Sequence, residues 1–146
     1  MLGLHSAQLD DADAKRIAEM TKHSITLRSL VLANNYITEA GAINLLKNMA
    51  TESCSVQILD LSRNFILADP SRSLIRRFNG VMDDVIIATF ASLGDQFIET
   101  MRALLARLIH TGMSTAFELD LSHNYMSTIC VGLVSNICRD ECRDHV

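Results

Sequence analysis

Three segments of the chain share one order of apolar and polar positions. Residues 27–37 read LRSLVLANNYI, residues 56–66 read VQILDLSRNFI and residues 116–126 read AFELDLSHNYM. In each segment two large aliphatic residues stand two positions apart, which predicts a short strand with one buried face. An asparagine follows three positions after the second of them. We expect its amide to pair with backbone groups where the chain turns after the strand.

The spacing of these segments predicts the number of strands. The second aliphatic residue of each pair falls at Leu32, Leu61 and Leu121, so the gaps are 29 and 60 residues. The longer gap is close to two periods. It predicts a further strand over residues 85–90, VIIATF, which are rich in β-branched and aromatic residues. An alternative stays open, because a short apolar run suits a helix as well as a strand: residues 67–115 would then be a helical insertion.

A first strand is predicted at the start of the chain. Leu2 and Leu4 stand two positions apart, and Leu4 precedes Leu32 by 28 residues. The predicted repeats are then five in number, and the first and fourth are degenerate because they lack the asparagine. Their bounds are 1–26, 27–55, 56–84, 85–115 and 116–140, followed by a tail at 141–146. One such repeat cannot bury its own leucines, so the units must stack into a single domain.

A period of 28 to 31 residues leaves room for a helix in every repeat. The motif L-x-x-L-x-L-x-x-N-x-L resembles that of leucine-rich repeats, and the period resembles the ribonuclease-inhibitor-like class of them. The resemblance implies an α/β solenoid, with short parallel strands on a concave face and helices on a convex face. It also implies a protein ligand, which members of the class usually hold on the concave face and its edges.

Helix starts are predicted at four places, and one of them is Asp69, a cap that is followed by Pro70 at the first helical position. The acidic run Asp10–Asp13 suits the positive end of a helix dipole, and Thr38 can cap a helix whose inward positions keep a 3.6-residue rhythm. Asp95 is predicted to cap the longest helix, with an apolar stripe from Phe97 to Ile109, and Gly112 is predicted to end it.

The ends of the predicted stack lack obvious caps. The first strand begins almost at Met1, and its repeat looks like an interior one. Terminal repeats need a polar outer face, and an exposed strand edge invites aggregation. We therefore expect that the chain is a piece of a longer solenoid or that a partner covers its open end.

The composition limits which class of partner and which cellular compartment are to be expected. Lys and Arg number 13 against 17 Asp and Glu, a net charge of −4 that is unlike the basic face of a nucleic-acid binder. No apolar run approaches the ~20 residues that span a bilayer, so no membrane partner is expected. The four cysteines form no N-terminal disulfide cap, and no N-x-S/T acceptor occurs. We expect the cytoplasm or another reducing intracellular compartment, and the cytoskeleton or a cilium would fit that expectation.

A cysteine and histidine cluster near the C-terminus is a candidate metal site. Cys138, Cys142 and His145 follow a C-x3-C-x2-H spacing, and Cys130 would be the nearest source of a fourth zinc ligand. The spacing matches no strong zinc pattern, so we expect thiols without a metal and no cofactor.

Three arginines, Arg72, Arg76 and Arg77, form a small basic patch on a predicted helix. Such a patch is usually a solvated helix face. The alternative is a contact with an acidic partner on the convex side.

Two aspartates are candidates for acid–base chemistry. Asp60 and Asp120 hold the same strand position in two repeats, and Glu118 is close by. Paired carboxylates can act as acid and base. We nevertheless expect no enzyme, because catalysis would also need a pocket and perturbed neighbours, and aspartate at this position is common in the repeat type.

By alternation, the residues between the buried leucines point away from the core, onto the predicted concave face. The predicted partner-binding residues are Ser29, Val31, Ala33, Ile58, Asp60, Ser62, Ile87, Thr89, Glu118, Asp120 and Ser122. Ile58 and Ile87 would be neighbouring exposed apolar side chains, which indicates a contact patch. The acidic residues favour a basic or mixed-charge protein partner.

These features predict a non-enzymatic protein-interaction module, as a structural subunit or scaffold in a multi-subunit intracellular assembly. The alternative is a regulatory domain of the same repeat class, either a ligand sensor of the immune-receptor type or an activator of small GTPases. Fold alone does not choose between these functions.

Overall fold

A computed structural model describes residues 1–51, 55–68, 84–110, 118–126, 130–132 and 134–136, with the backbone alone at 84–93 and 108–110. The described strands and helices are, in chain order, β1 (Leu2–Gly3), α1 (Asp11–Thr21), β2 (Ser29–Val31), α2 (Glu39–Met49), β3 (Ile58–Asp60), α3 (Asp84–His110) and β4 (Glu118–Asp120). Residues 130–132 and 134–136 are also helical.

The described strands form one parallel sheet in the order β1-β2-β3-β4. Leu30 pairs in register with Leu2 on one side and with Leu59 on the other, and Leu59 pairs with Leu119. Leu30 and Leu59 are fully buried beneath the sheet. The strands predicted from the aliphatic pairs are therefore confirmed, including the first one at Leu2 and Leu4, whose N–H donates to the Val31 carbonyl at 2.8 Å.

The predicted asparagines form a buried ladder behind the strand ends. The amide nitrogen of Asn64 donates to the carbonyls of Leu32 at 2.9 Å and Leu61 at 3.1 Å, and its oxygen accepts the N–H of Ile37 at 3.0 Å. Asn35 and Asn124 make the same kinds of bond one repeat earlier and one later. Each amide thus joins two loops and satisfies backbone groups that burial would otherwise leave unpaired.

Helix α1 begins where the acidic run predicts it. The Asp10 carboxylate accepts the N–H of Asp13 at 3.0 Å, and the Asp13 carboxylate accepts the N–H of Asp10 at 3.2 Å. This reciprocal pairing satisfies two of the free donors at the helix start. Ala14, Ile17 and Ala18 are buried where α1 packs against α2.

Helix α2 is the central helix of the layer behind the sheet. Thr38 caps it as predicted, with its hydroxyl accepting the N–H of Ala40 at 3.4 Å. Its buried face includes Ala42, Leu45 and Leu46, and it packs against α1 on one side and α3 on the other. The core therefore lies between the sheet and these three helices.

A carboxylate links each of the first two helices to the following repeat. Asp11 in the first turn of α1 accepts the N–H of Thr38 at 2.7 Å and that of Gly41 at 3.2 Å. A Cβ at Gly41 would lie 2.6 Å from this carboxylate, so glycine is needed for the close approach. Glu39 repeats the arrangement, because its carboxylate accepts the N–H of Leu67 at 3.1 Å.

The strand predicted over residues 85–90 is wrong, because these residues lie in helix α3. Strand β4 pairs directly with β3, so the described sheet has no place for a strand of a repeat at 85–115. The helical-insertion alternative agrees with α3. Asp95, predicted as its cap, lies within the helix rather than at its start.

The strand prediction failed because the helical spacing of apolar residues begins well before Phe97, where the predicted apolar stripe began. Aliphatic and aromatic residues follow one another at intervals of three or four positions from the first turn of α3 to its last. They are Ile86, Phe90, Leu93, Phe97, Met101, Leu104 and Leu108. Phe97, Met101 and Leu104 are buried. Residues 85–90 are in phase with this stripe, so a helix satisfies their pattern without a break.

Among the described residues, no helix combines the length and the apolar content that crossing a membrane requires. The helix predicted after Asp69 and the predicted end at Gly112 lie outside the described residues.

Candidate functional site

The carboxyl ends of the strands meet at one edge of the sheet. After β2, β3 and β4, each loop carries an exposed polar residue, then the buried ladder asparagine, then an aromatic residue. We call this edge the carboxyl rim. It consists of Asn34, Tyr36, Arg63, Phe65, His123 and Tyr125, with Ser6 and Gln8 at the end of β1.

The exposed polar residue of each rim loop has a left-handed backbone. The φ angles are 57° at Asn34, 55° at Arg63 and 55° at His123, and Ser6 has the same value of 55°. The backbone N–H of Ser6, Asn34 and Arg63 each donates to a carbonyl of the next loop. These bonds run to Ala33 at 3.0 Å, Ser62 at 2.9 Å and Ser122 at 2.9 Å. The repeated turn therefore holds four successive loops, those after β1, β2, β3 and β4, in line along the rim.

The aromatic residues of the rim stack on one another. The Tyr36 and Phe65 rings have centroids 6.2 Å apart and planes 6° from parallel, and Phe65 and Tyr125 are 5.6 Å apart and 17° from parallel. Tyr36 is 51% exposed and Tyr125 is 47% exposed, although both rings are large. These are the two tyrosines of the chain. Stacked rings in a fixed row present a preformed, partly apolar surface to solvent.

A cavity of ≈ 720 Å³ opens along the rim. The described residues that line it are Ser6, Gln8, Asn34, Asn35, Tyr36, Arg63, Phe65, His123 and Tyr125. None of these carries a carboxylate, and Arg63 and His123 supply the groups that can bear positive charge. The rim thus differs in charge from the chain as a whole, which has a net charge of −4.

The open face of the sheet, opposite the helices, carries most of the residues predicted to bind a partner. Ser29 and Val31 lie in β2, Ile58 and Asp60 in β3, and Glu118 and Asp120 in β4. The register places Ser29, Ile58 and Glu118 in one row and Val31, Asp60 and Asp120 in the next. Ala33, Ser62 and Ser122 follow the strands, toward the rim. Ser62 is buried there, contrary to its predicted exposure on the concave face. Binding of a partner here stays a prediction.

Ile87 and Thr89 are the exceptions, because their backbone belongs to α3 and not to the sheet. The predicted patch of Ile58 and Ile87 on neighbouring strands is therefore wrong. Ile58, which is 40% exposed, instead has Ser29 and Glu118 as its register partners. The cause is the direct pairing of β3 with β4 described above.

The two aspartates of the open face have local backbone partners. An Asp60 carboxylate oxygen accepts the N–H of Ser62 at 2.9 Å, and an Asp120 oxygen accepts the N–H of Ser122 at 2.8 Å. Each carboxylate therefore holds the bend that leads from the strand into its rim loop. These backbone hydrogen bonds explain why an aspartate stands at both positions, without any acid–base chemistry.

The cysteine and arginine clusters cannot be placed. Cys138, Cys142, His145, Arg72, Arg76 and Arg77 lie outside the described residues. Cys130 is half-buried against the core. Within the part of the chain that the structure describes, no three His, Cys, Asp or Glu residues come together as metal ligands would.

A second cavity of ≈ 300 Å³ lies between α1 and α2. Its lining includes Lys15, Lys22 and Lys47, together with Glu19 and Asn44. On each helix the lining residues are spaced as one solvated face would be, and mixed charges are typical of such a face. The carboxyl rim, with its exposed ring stack, is the stronger candidate site.

The aromatic row was not among the residues predicted from the sequence, although the sequence contains its signal. In all three clear motifs, the residue after the asparagine is Tyr or Phe, at Tyr36, Phe65 and Tyr125. Equal positions in stacked repeats must come together in space. The same rule identifies Asn34, Arg63 and His123 as a second row.

Comparison with known proteins shows a shared fold and no family. No family model matches the chain, and no curated protein matches it. The tropomodulin C-terminal domain from Caenorhabditis elegans is similar over 97% of this chain, with a TM-score of 0.52 and 16% identity. A structure described as leiomodin-1 actin-binding site 2 is similar over 94%, with a TM-score of 0.45 and 16% identity. The chain covers 66% and 60% of those two chains, which is less than two thirds of each.

The tropomodulin domain supports the fold described above and, at this identity, nothing finer. Membership of the ribonuclease-inhibitor-like class stays a prediction, because no sequence comparison supports it.

Proposed function

We propose that this chain is a non-enzymatic protein-interaction module that binds its partner at the carboxyl rim. The open face of the sheet lies beside this binding surface. The observation that carries the proposal is the exposed stack of Tyr36, Phe65 and Tyr125. Aromatic residues dominate the energetics of protein interfaces, because they bury a large area at little cost in side-chain entropy.

The rim is also held in place before any partner arrives. Asn35, Asn64 and Asn124 anchor the three loops from below through buried hydrogen bonds. A binding surface whose supporting residues are fixed loses less entropy on association than a flexible one. The asparagine ladder therefore has a functional consequence in addition to its contribution to stability.

The absence of enzymatic activity is part of the proposal. Asp60 and Asp120 are the acid–base candidates that the sequence offered, and each accepts a backbone N–H two residues away. A catalytic pair would need a shared pocket and access to a substrate. The aspartates instead support the loops that present the rim.

Finer features of the proposal come from the sequence. They are a leucine-rich-repeat solenoid of the ribonuclease-inhibitor-like class, a cytoplasmic location, and membership of a multi-subunit assembly as a subunit or scaffold. The sensing and GTPase-activating alternatives also stay predictions, and the rim geometry favours neither of them.

A comparative capture experiment tests the proposal. The wild-type chain and a Tyr36→Ala/Tyr125→Ala variant are immobilised, and the proteins that each retains from a cell extract are quantified by mass spectrometry. We expect partners that the wild type retains at least tenfold better, and an Ile58→Ala variant that resembles the wild type. An identical set from wild type and double variant would contradict a rim interface.

Filamentous actin is a suitable first purified probe in a co-sedimentation assay. The leiomodin-1 structure reported above is that of an actin-binding site. Sedimentation with actin that is lost in the double variant would identify the partner. Without such sedimentation, the partner comes from the capture experiment.

A further inference from the structure

We infer that the carboxyl rim receives an extended acidic segment of a partner protein, with apolar or aromatic side chains lying on the ring stack. The inference rests on the proposed function and adds the chemistry of the partner. It starts from the charge of the described rim residues, among which Arg63 and His123 can be positive and none is negative. In a chain of net charge −4, such a surface selects for carboxylates.

The backbone of the rim supports a role for the Arg63 side chain in binding. Its φ angle of 55° is left-handed, a conformation that is unfavourable for most residues with a Cβ and is tolerated best by Gly, Asn, Asp and His. Asn34 and His123, at the equivalent positions of the neighbouring repeats, are tolerated residues. Stability alone would favour Asn or Gly at position 63, so Arg63 is better explained by the surface that it presents.

The spacing of the rings fits an extended chain. Neighbouring centroids along the stack are 6.2 and 5.6 Å apart. Every second residue of an extended segment advances by roughly 6.6 Å, so alternate side chains can lie on successive rings. The residues between them then face Arg63 and His123 on the parallel row, where carboxylates would pair with the guanidinium and accept a hydrogen bond from the imidazole N–H.

Single-stranded nucleic acid is the competing ligand, because it also combines anionic groups with rings that stack. The open sheet face next to the rim weighs against it. Asp60, Asp120 and Glu118 lie on that face, and they would repel a phosphate backbone along its length. A peptide segment can place its carboxylates at the rim and a neutral or basic stretch over the sheet.

Selection from a random library tests the inference. Twelve-residue peptides displayed on phage are selected on the wild-type chain, and the recovered peptides are synthesised with their carboxylates intact or changed to amides. We expect recovered sequences rich in Asp or Glu and in aromatic residues or Pro. The amide forms should bind at least tenfold more weakly in fluorescence anisotropy.

Two matched variants separate binding from folding. Arg63→Asn gives repeat three the polar residue of repeat two, and it should weaken binding of the acidic peptide at least tenfold while raising the urea midpoint of unfolding. Arg16→Gln removes the same charge from an exposed site on α1, outside the rim, and should leave binding unchanged. Arg63→Asn with unchanged affinity would overturn the inference.

The outcomes also distinguish this inference from the proposed function. Neutral or basic peptides that lose binding in Tyr36→Ala/Tyr125→Ala would overturn the acidic segment and leave the rim interface standing. Peptides insensitive to both rim variants, or no enriched peptide, would count against both. A labelled single-stranded oligonucleotide that binds more tightly than the acidic peptide would overturn the inference in favour of nucleic acid.

Discussion

The two exposed surfaces of the sheet lie side by side and differ in nearly every property that matters for binding. The carboxyl rim combines stacked aromatic rings with Arg63 and His123, and its described lining has no carboxylate. The open face has small side chains, one exposed isoleucine, and the carboxylates of Asp60, Asp120 and Glu118. The rim therefore has the exposed aromatic rings that are typical of a protein interface, and the open face is an acidic surface that borders the rim.

The rim and the open face favour different charges in a partner. The sequence favours a basic or mixed-charge partner because the acidic residues of the strands are easy to identify. The rim favours acidic groups, so the two surfaces together favour the mixed-charge alternative. A partner with a basic stretch over the sheet and an acidic segment on the rim would match both.

The largest expected effect comes from the support beneath the rim. Asn64→Ala removes a buried amide, which leaves the Ile37 N–H and the Leu32 and Leu61 carbonyls without this partner. We expect the free energy of unfolding to fall by roughly 2–4 kcal/mol, measured by urea denaturation. Asn44→Ala is the control, since that amide only donates to a carbonyl of its own helix. Equal losses of unfolding free energy in both variants would show that the ladder asparagines stabilise the fold no more than an ordinary helix amide does.

A substitution far from both surfaces gives a reference for pure destabilisation. Gly41→Ala places a methyl group 2.6 Å from the Asp11 carboxylate. We expect a loss of about 1–3 kcal/mol in unfolding free energy, and unchanged partner affinity under conditions where the chain stays folded. Gly132→Ala, where the added Cβ meets nothing within 4 Å, is the matched control. A loss of affinity in Gly41→Ala would mean that affinity follows stability, which would weaken every rim result.

The ring stack should dominate binding. Tyr36→Ala/Tyr125→Ala should weaken the captured partner at least tenfold, which corresponds to about 1.4 kcal/mol or more, by fluorescence anisotropy or calorimetry. Tyr36→Phe/Tyr125→Phe keeps the rings and should keep most of the affinity. If the Phe variant loses as much as the Ala variant, the hydroxyl groups rather than the stack carry the contact.

The aspartates of the open face should affect folding more than binding. Asp60→Ala leaves the Ser62 N–H without its acceptor, and we expect a loss of about 0.5–1.5 kcal/mol in unfolding free energy. Asp60→Asn retains an acceptor oxygen and should recover most of that loss. A large gain or loss of partner affinity in Asp60→Asn would indicate that the partner binds mainly to the open face.

The smallest effect is expected at the exposed isoleucine of the open face. Ile58→Ala should change the unfolding free energy by less than about 0.5 kcal/mol, because the side chain is 40% exposed. Partner affinity should change by less than roughly threefold, since rim-type aromatic contacts carry most interface energy. A tenfold loss here would reverse the comparison and restore the concave-face prediction.

The strands and turns follow from the order of residues within each motif. Leu30, Leu59 and Leu119 each stand two positions before a second leucine, so each predicts its own strand face, and their shared position in the motif predicts the register in which the parallel strands pair. Asn64 could be assigned to the turn because an amide is one of few side chains that can satisfy several backbone groups at once. These inferences succeed because they depend on residues close together in the chain.

Which segments become neighbours in space depends on how the whole chain folds. Residues 85–90 suit a strand when taken alone, and they became helical because they continue the stripe of α3 while β4 pairs directly with β3. The Asp11 carboxylate accepts the N–H of Thr38, the residue that caps α2, although Thr38 lies 27 residues further along the chain. The aromatic rim exists only because stacking brings residues 36, 65 and 125 into one row. Such contacts depend on competition between distant segments, and no local pattern contains the result of that competition.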